Sequence, residues 1–358
     1  MTVSEEHIAE VDERLIVVDP EASSASSTAL AQREDLLRIA RGAYLQEDPT
    51  WSKWELQTMV SLARIVWAQR RYPGAVFVLE SAAILHELPL LENELDLHMA
   101  NLPKGNTRKT ELPTIPKLAE GSRNERLGHA VHRHGFTVPE ADVETIHGIR
   151  VCSIERLIVD FARLRPARLS LVPIDAACAR ITAAWKFERQ RTLQRMDALR
   201  SRLAVRLKAI PGSRGSARAR EVIAWADPFS ESPGESLVRW GLGAFGLPRP
   251  VLQQEVQRDG SHYFLDLWIR EFNVAIEFDG AMKYKGDDAH QKLMGDKRRD
   301  DHLQAEGVRV VHLMWADVVS PEALRKALIK IFGLAVLVAA SPRFHLLVGS
   351  GLQPALAA

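Results

Sequence analysis

The chain has 358 residues, of which 46% are hydrophobic and 26% charged, with a formal net charge of +1. This composition is ordinary for a folded globular protein and excludes a mostly disordered, a collagen-like or a rod-shaped coiled-coil chain. The two cysteines are too few for a disulfide scaffold or a cysteine-built zinc site. The acidic amino terminus does not resemble a secretory signal, and the longest apolar run, 331–340, is too short to span a bilayer. We therefore expect a cytoplasmic protein of about two or three domains with no membrane partner.

Charge is distributed unevenly along the chain. Residues 1–103 carry a net charge of −9, residues 104–220 carry +13 and residues 221–358 carry −3. A basic middle of this size indicates a polyanionic partner, and nucleic acid, DNA foremost, is the partner we expect. The alternatives are a solvated arginine-rich helix face, or a surface that binds the acidic amino-terminal part of the same chain.

The first third of the chain predicts a small α+β domain. Residues 1–30 are acidic and end in a small polar run, so we expect weak order there before a domain at 31–122. A strand is predicted over 39–45, with a glycine at a bend. A helix is predicted over 54–71, because its apolar residues repeat at helical spacing up to a Pro-Gly pair.

The basic middle, residues 123–210, predicts short strands followed by helices. Its last helix, over 188–208, carries six arginines, and we expect that helix to contact nucleic acid. The candidate contact residues are Arg195, Arg202 and Arg206. A glycine- and serine-rich hinge opens a linker at 211–227.

The segment His129-Ala-Val-His-Arg-His134 contains three histidines in a short stretch. Its spacing suits a strand, on which only two of the three can share a face, and no cysteine accompanies them. We therefore expect a packed strand here rather than a metal site.

Three short motifs stand out between residues 30 and 205. They are Arg41-Gly-Ala-Tyr44, Glu80-Ser-Ala-Ala-Ile-Leu-His-Glu-Leu-Pro89, and Gly148-Ile-Arg-Val-Cys-Ser153 leading into Val159-Asp-Phe-Ala-Arg163. Together they resemble the actinobacterial AbiEi-like group, the antitoxin-type regulators of type IV toxin–antitoxin systems. The resemblance implies a DNA-binding winged helix at the amino terminus and a cognate toxin as a partner. Here the segment before Arg41 is short and acidic, and residues 1–37 contain no clear helix-turn-helix.

Residues 228–335 predict a separate domain, followed by a tail at 336–358. The element order is α-β-β-β-α-β-α, in which a long polar helix over 288–306 precedes the last strand. Three successive strands and a helical crossover to a fourth give a mixed four-stranded sheet flanked by helices. The chain as a whole is thus expected to be α/β, with an α+β amino-terminal part.

The loop between the second and third of these strands sets their register. If the turn is centred between Glu271 and Phe272, Asp266 faces Glu277, and Asp279 lies on the same face because side chains alternate along a strand. Carboxylates gathered on an otherwise apolar hairpin repel one another, and a divalent cation reverses that penalty. The pattern therefore predicts a Mg²⁺ site, with a solvent-exposed acidic face as the alternative.

The same residues belong to a longer pattern. In order, it consists of Asp266-Leu-Trp268, Ala275-Ile-Glu-Phe-Asp-Gly280, Lys283-Tyr284, Asp296-Lys-Arg-Arg-Asp300, Gly307-Val-Arg-Val-Val311 and Trp315. This pattern resembles the restriction-endonuclease-like PD-(D/E)XK superfamily, and within it the very-short-patch-repair-like group. The resemblance implies a restriction-endonuclease-like fold with Mg²⁺ or Mn²⁺ as cofactor.

The resemblance also implies roles for individual residues. The metal ligands it implies are Asp266 and Glu277, with Glu235 from the helix before the sheet or Asp279 as a further candidate. Asp279 stands where the superfamily normally has its lysine, so Lys283 is the candidate to orient or deprotonate the attacking water. Asp266, Glu277 and Lys283 are thus the candidate catalytic residues. Contacts to backbone phosphates are expected from Lys297, Arg298 and Arg299, with a solvated helix face as the alternative.

Three functions are compatible with this sequence. The first is a nucleic-acid-binding protein with a Mg²⁺-dependent endonuclease-like carboxyl-terminal domain, in a defence or toxin–antitoxin context. The second is a non-catalytic, antitoxin-type transcriptional regulator in which the nuclease fold is a scaffold. The third is an antitoxin that acts on proteins alone. Convergence of the candidate carboxylates and Lys283 within metal-binding distance would favour the first function over the others.

Overall fold

The computed structural model describes residues 5–18, 29–91, 96–102, 110–119, 129–210, 215–258, 261–280 and 307–350. It has the mixed α/β class that the sequence predicts. The chain divides into two compact units, residues 1–157 and residues 158–358. The domain boundaries that the sequence predicts, at 30, 122, 210, 227 and 335, stay predictions.

The amino-terminal unit contains two sheets. Its helices are α1 (Glu5–Arg14), α2 (Lys53–Arg71), α3 (Leu79–Leu85) and α4 (Pro116–Ala119). Its strands are β1 (Leu15–Val17), β2 (Leu36–Ala40), β3 (Ala43–Gln46), β4 (Val76–Phe77), β5 (Leu97–Ala100), β6 (Thr110–Leu112), β7 (His129–Arg133), β8 (Val143–Ile146) and β9 (Ile149–Cys152). One sheet has the order β1-β3-β2, and the other has the order β6-β7-β5-β4-β9-β8. In the larger sheet β5 runs parallel to β7 and β4 runs parallel to β9, while the other pairs are antiparallel.

Helix α2 confirms the predicted helix and forms for local reasons. Ser52 accepts a hydrogen bond from the Glu55 N–H, and the Glu55 carboxylate accepts one from the Ser52 N–H, which completes a capping box. Its central residues from Met59 to Ala68 are all buried. Helix α2 therefore contributes its central turns to the core of this unit.

Two expectations for the amino-terminal unit are wrong. Residues 1–30 are expected to be weakly ordered, but within them α1 buries Ile8 and Val11 and continues into β1; residues 1–4 and 19–28 lie outside the described residues. The single strand expected over 39–45 is instead the antiparallel hairpin β2–β3, with Gly42 at a φ of 70° in its turn. Glycine adopts that left-handed conformation without steric cost, so the bend becomes a complete reversal.

The carboxyl-terminal unit is built around one mixed sheet. Its helices are α5 (Ile154–Leu164, which contains the point of division), α6 (Ala167–Thr182), α7 (Arg189–Ala209), α8 (Ser216–Trp225), α9 (Pro233–Ala244), α10 (Trp315–Val318), α11 (Pro321–Phe332), α12 (Leu334–Ala339) and α13 (Phe344–Leu347). Its strands are β10 (Val251–Arg258), β11 (Ser261–Ile269), β12 (Val274–Asp279) and β13 (Arg309–Met314). The strand order is β10-β11-β12-β13, with the last pair parallel and the others antiparallel. The predicted four-stranded mixed sheet is confirmed, whereas the helix predicted over 288–306 lies outside the described residues.

The basic helix α7 packs inside this unit rather than standing apart. One side of the helix is buried through Thr192, Met196, Leu199, Leu203 and Leu207. Residues after 336, expected to form a tail, include α13, and the Trp240 indole N–H donates to the Leu346 carbonyl at 2.9 Å. Among the described residues no helix is both long and apolar enough to cross a membrane.

A buried ion pair ties α6 to α9. Arg239 donates to the Asp175 carboxylate, and the two residues are 0% and 1% exposed. The same carboxylate accepts from the Ser236 hydroxyl at 2.6 Å and from the Asp227 N–H at 3.0 Å. Because each buried charge depends on the other, this pair fixes how α9 lies in the unit.

Candidate active site

The predicted hairpin register is confirmed up to the point where the candidate carboxylates begin. Leu267 pairs with Ile276 and Ile269 pairs with Val274, as a turn centred after Glu271 requires. Beyond Leu267 the backbone pairing stops and side chains replace it. The two strands therefore part at the residues singled out from the sequence.

Asp266 and Glu277 lie against each other where the strands part. The Asp266 N–H donates to Glu277 Oε1 at 3.3 Å, and the Phe278 N–H donates to Asp266 Oδ2 at 3.0 Å. Each carboxylate thus accepts a backbone N–H from the opposite strand. Glu277 is 1% exposed, while Asp266 is half-buried, so solvent reaches the pair mainly at Asp266.

The neighbouring strand is distorted at the same level. Gln253 has a φ of 47°, in the left-handed region that is unusual for a residue other than glycine. Its side-chain amide donates to Asp266 Oδ1 at 3.3 Å. Backbone strain of this kind is concentrated at functional sites, and here it brings a third polar group to the Asp266 carboxylate.

Glu235 approaches the carboxylates from the start of α9. A Cβ on Gly234 would lie 2.1 Å from the Phe278 ring, so only glycine permits this close approach of helix to sheet. Burial, and then the charge of Asp266, raise the pKa of the Glu235 carboxyl to about 8. The Glu231 N–H and the hydroxyl of the N-cap residue Ser232 donate to it at 2.9 and 2.8 Å, so the Glu235 carboxyl is held by the segment that leads into its helix.

Asp279 makes a contact that the sequence did not indicate. It is 7% exposed, and its Oδ2 lies 2.8 Å from Nδ1 of His312 on β13. Glu277 and His312 are register partners in the parallel β12–β13 pair, so their side chains share a face. An imidazole held by a carboxylate can take up or release a proton near neutral pH. Only the pairing of β12 with β13, which sequence reasoning did not work out, could have identified His312.

Lys186 and its aromatic neighbours are a second group that sequence reasoning missed. The Lys186 ammonium lies 4.8 Å from the centre of the Phe264 ring and 3.1 Å from Glu231 Oε1. Phe264 precedes Asp266 by two residues and therefore lies on the same face of β11. Trp185 and Phe187 are 55% and 60% exposed, and Phe187 meets Phe264 edge-on at 5.1 Å. No local signal links this turn to β11.

The predicted metal-ligand set is assembled only in part. Among the described residues, the one group of three or more histidine, cysteine or acidic side chains whose ligand atoms lie within 4.8 Å of one another is elsewhere, at Asp96, His98 and His132. Asp266 and Glu277 therefore form a pair without a third described carboxylate at that distance. Lys283 lies outside the described residues.

The predicted nucleic-acid contacts are likewise only partly described. On α7, Arg202 is exposed and Arg195 and Arg206 are half-buried. The Arg195 guanidinium donates to the Thr182 carbonyl at 2.9 Å, which completes the end of α6. The remaining predicted contacts lie outside the described residues: Lys297, Arg298 and Arg299.

Comparisons with known proteins give distant similarity. The chain is 28% identical over 209 residues to two proteins of Mycobacterium tuberculosis, from strains CDC 1551 / Oshkosh and ATCC 25618 / H37Rv, each named only as an uncharacterized protein. The matched region covers 54% of this chain and 74% of each relative. No family model and no solved structure matches the chain.

Proposed function

We propose that the unit of residues 158–358 is a Mg²⁺- or Mn²⁺-dependent phosphodiester hydrolase that acts on nucleic acid, with DNA as the first substrate to test. The observation that carries the proposal is the contact between Asp266 and Glu277 where the β11–β12 pairing ends. The resemblance of residues 266–315 to restriction-endonuclease-like domains supports the same assignment.

The donor set fits the cation. Mg²⁺ prefers hard oxygen ligands and is commonly held by one or two carboxylates, together with waters and substrate phosphate oxygens. Asp266 and Glu277 provide two such carboxylates. When bound, the cation lowers the pKa of a water and stabilises negative charge on the phosphate.

Other groups of this chain have distinct parts in the proposed reaction. Glu235 remains protonated up to a pH of about 8, so it limits the negative charge near Asp266. His312, positioned by Asp279, is the described group that can move a proton on this face of the sheet. Lys186 supplies a cation beside the ring of Phe264, the residue two positions before Asp266 on β11.

The surroundings favour a nucleic-acid substrate. Trp185 and Phe187 offer exposed rings on which unstacked bases can lie, and Lys186 between them can pair with phosphate. The basic stretch of residues 186–220 belongs to the same unit. Aromatic rings next to cations are the usual means of holding single strands, so single-stranded DNA is a necessary test substrate.

A second function is favoured by a specific observation. In the described part of the chain no third carboxylate joins Asp266 and Glu277 within 4.8 Å, and the Glu235 carboxyl is engaged by the Glu231 N–H and the Ser232 hydroxyl. A nuclease fold that has lost its catalytic set would serve as a scaffold. The chain would then act as a non-catalytic antitoxin-type regulator that binds DNA and a cognate toxin.

A cleavage assay separates the two functions. Supercoiled plasmid, single-stranded DNA and RNA are incubated with the full chain in Mg²⁺, Mn²⁺ or EDTA. The nuclease proposal predicts metal-dependent cleavage that falls at least about a hundredfold in Asp266→Asn and Glu277→Gln, because the cation loses a charged ligand. Glu271→Gln, which removes an exposed carboxylate from the same hairpin, is the matched control and should cleave like the parent. Absence of metal-dependent cleavage of all three substrates would favour the regulator.

A further inference from the structure

The amino-terminal unit contains a cluster of histidines that the proposed nuclease does not use. His98 on β5 and His132 on β7 are register partners in a parallel strand pair. Asp96 precedes His98 by two residues and His134 follows His132 by two residues, so all four side chains lie on one face of the sheet. Two strands that are distant in sequence therefore bring four potential metal ligands together.

The carboxylate of Asp96 lies at the centre of the cluster. Its Oδ2 is 2.8 Å from His132 Nε2, and its Oδ1 is 3.4 Å from His129 Nδ1. The Ala130 N–H donates to Oδ1 at 2.8 Å and fixes the carboxylate. Burial alone would raise the pKa of the Asp96 carboxyl, but the hydrogen bonds from the two histidines and Ala130 outweigh it and hold the pKa well below its usual range. Asp96 is therefore an ionised, positioned oxygen ligand.

His98 has the support that a metal-bound histidine usually has. It is 2% exposed, and its ring Nε2 lies 3.3 Å from the buried Glu80 carboxylate. The backbone N–H of His98 donates to the Ser81 hydroxyl at 3.0 Å. A carboxylate behind the ring of a metal-bound histidine orients it and increases its basicity. His98 Nδ1 lies 3.1 Å from His134 Nε2, which places a further imidazole beside the cluster.

We propose that Asp96, His98 and His132 form a binding site for a divalent transition metal of the Zn²⁺ type. One ligand atom from each of the three lies within 4.8 Å of the others. Two imidazoles and a carboxylate are a common set for zinc and its first-row neighbours, with a further position open to water or another side chain. The spacing within 129–134 alone predicts a packed strand without metal. The other two ligands, Asp96 and His98, come from a separate segment that pairs with it.

Metal binding requires two changes, which make the proposal specific: His132 must turn, and His98 Nδ1 must exchange its contact with His134 for the ion. The His98 and His132 rings stack at 4.5 Å with an angle of 6° between their planes, so both rings cannot direct a nitrogen at one ion as they stand. The His132 side chain is 40% exposed and can turn, whereas that of His98 is 3% exposed and held by Glu80. A tetrahedral ion with bonds of about 2.0–2.1 Å separates its ligand atoms by roughly 3.3 Å, so the cluster must contract slightly as His132 turns.

The test is Zn²⁺ titration calorimetry on the full chain after EDTA treatment and removal of the chelator. We expect the parent to bind a Zn²⁺ ion that is lost, or bound at least about tenfold more weakly, in His132→Gln and Asp96→Asn. Co²⁺ is the second probe, and its ligand-field absorption should appear in the parent and disappear in the same variants. Circular dichroism in EDTA tests whether the variants are folded. If Asp96→Asn does not fold, His132→Gln alone decides the result.

Two controls locate the site. His262→Gln removes a histidine that likewise contacts a carboxylate on a strand pair, that of Glu255, and should leave Zn²⁺ binding unchanged. Glu271→Gln removes an exposed carboxylate from the β11–β12 hairpin and should also leave it unchanged. The proposal is overturned if the parent takes up no Zn²⁺ or Co²⁺, or if His132→Gln binds Zn²⁺ with the affinity and stoichiometry of the parent. Either result would leave the cluster as a hydrogen-bonded link between β5 and β7.

Discussion

Replacement of Glu235 by glutamine should change how the stability of the protein depends on pH. Glu235 is 5% exposed, and burial together with the charge of Asp266 raises the pKa of its carboxyl from 4.5 to about 8. Between these two values the folded protein holds a proton that the unfolded chain has released. The free energy of unfolding therefore falls as pH rises, by about 1.4 kcal/mol per pH unit and by at most about 5 kcal/mol across the window. Below the window both states are protonated, and above it both are ionised.

Glutamine has nearly the shape of the protonated acid: its single oxygen can accept from the Glu231 N–H, and its NH2 group then takes the place of the oxygen beside the Ser232 hydroxyl. Urea unfolding of parent and Glu235→Gln in EDTA, at about pH 5.5 and about pH 8.5, measures the difference. We expect the parent to lose more stability than the variant over this range, and the variant to be the more stable protein at the higher pH. Glu271→Gln should keep the pH dependence of the parent. Equal pH dependence in parent and Glu235→Gln would refute the assignment of a buried, protonated Glu235.

Three further predictions concern the packing and the charge of the same unit. Gly234→Ala should destabilise the protein by roughly 1–3 kcal/mol in urea unfolding, because the new Cβ meets the Phe278 ring. Gly74→Ala is the control, since no atom lies within 4 Å of its new Cβ, and an equal loss of stability in both variants would contradict this reasoning. Asp175→Asn should cost about 3–5 kcal/mol in the same measurement, since it leaves Arg239 buried without its counter-charge, and a loss below about 1 kcal/mol would be inconsistent with the buried pair. Affinity for DNA, measured by fluorescence anisotropy at several salt concentrations, should fall steeply with salt. A variant with three arginines of α7 replaced by alanine should show a weaker salt dependence of affinity, and an unchanged salt dependence would exclude α7 as the contact surface. The alanine substitutions in that variant are at Arg195, Arg202 and Arg206.

Much of the carboxyl-terminal sheet could be predicted because local rules decide it. The β11–β12 register follows from a short turn and from alternation along the strands, so the proximity of Asp266 and Glu277 was accessible from the sequence. The point where the two strands part could not be predicted from the sequence, because it depends on side chains that replace backbone hydrogen bonds.

Contacts between distant segments account for what the sequence did not indicate. His312 reaches Asp279 only through the parallel pairing of β12 with β13, and Lys186 reaches the sheet from a turn far upstream. Likewise, the metal cluster of the amino-terminal unit depends on the parallel pairing of β5 with β7. Parallel strands are joined by long crossovers, and no local pattern fixes which strands pair or in what register. Spacing within one segment could therefore not identify either group.

The central claim is that Asp266 and Glu277 form a cation site, and metal-dependent thermal melting of the full chain tests it most directly. A ligand that binds only the folded state stabilises it by about 2.7 kcal/mol when present at a hundred times its dissociation constant. We predict that millimolar Mg²⁺ or Mn²⁺ raises the melting temperature of the parent above its value in EDTA, and that the rise disappears in Asp266→Asn but persists in Glu271→Gln. Without metal, Asp266→Asn should melt no lower than the parent, because it removes one of two adjacent negative charges. Identical melting temperatures of parent and Asp266→Asn in all of these conditions would contradict the claim.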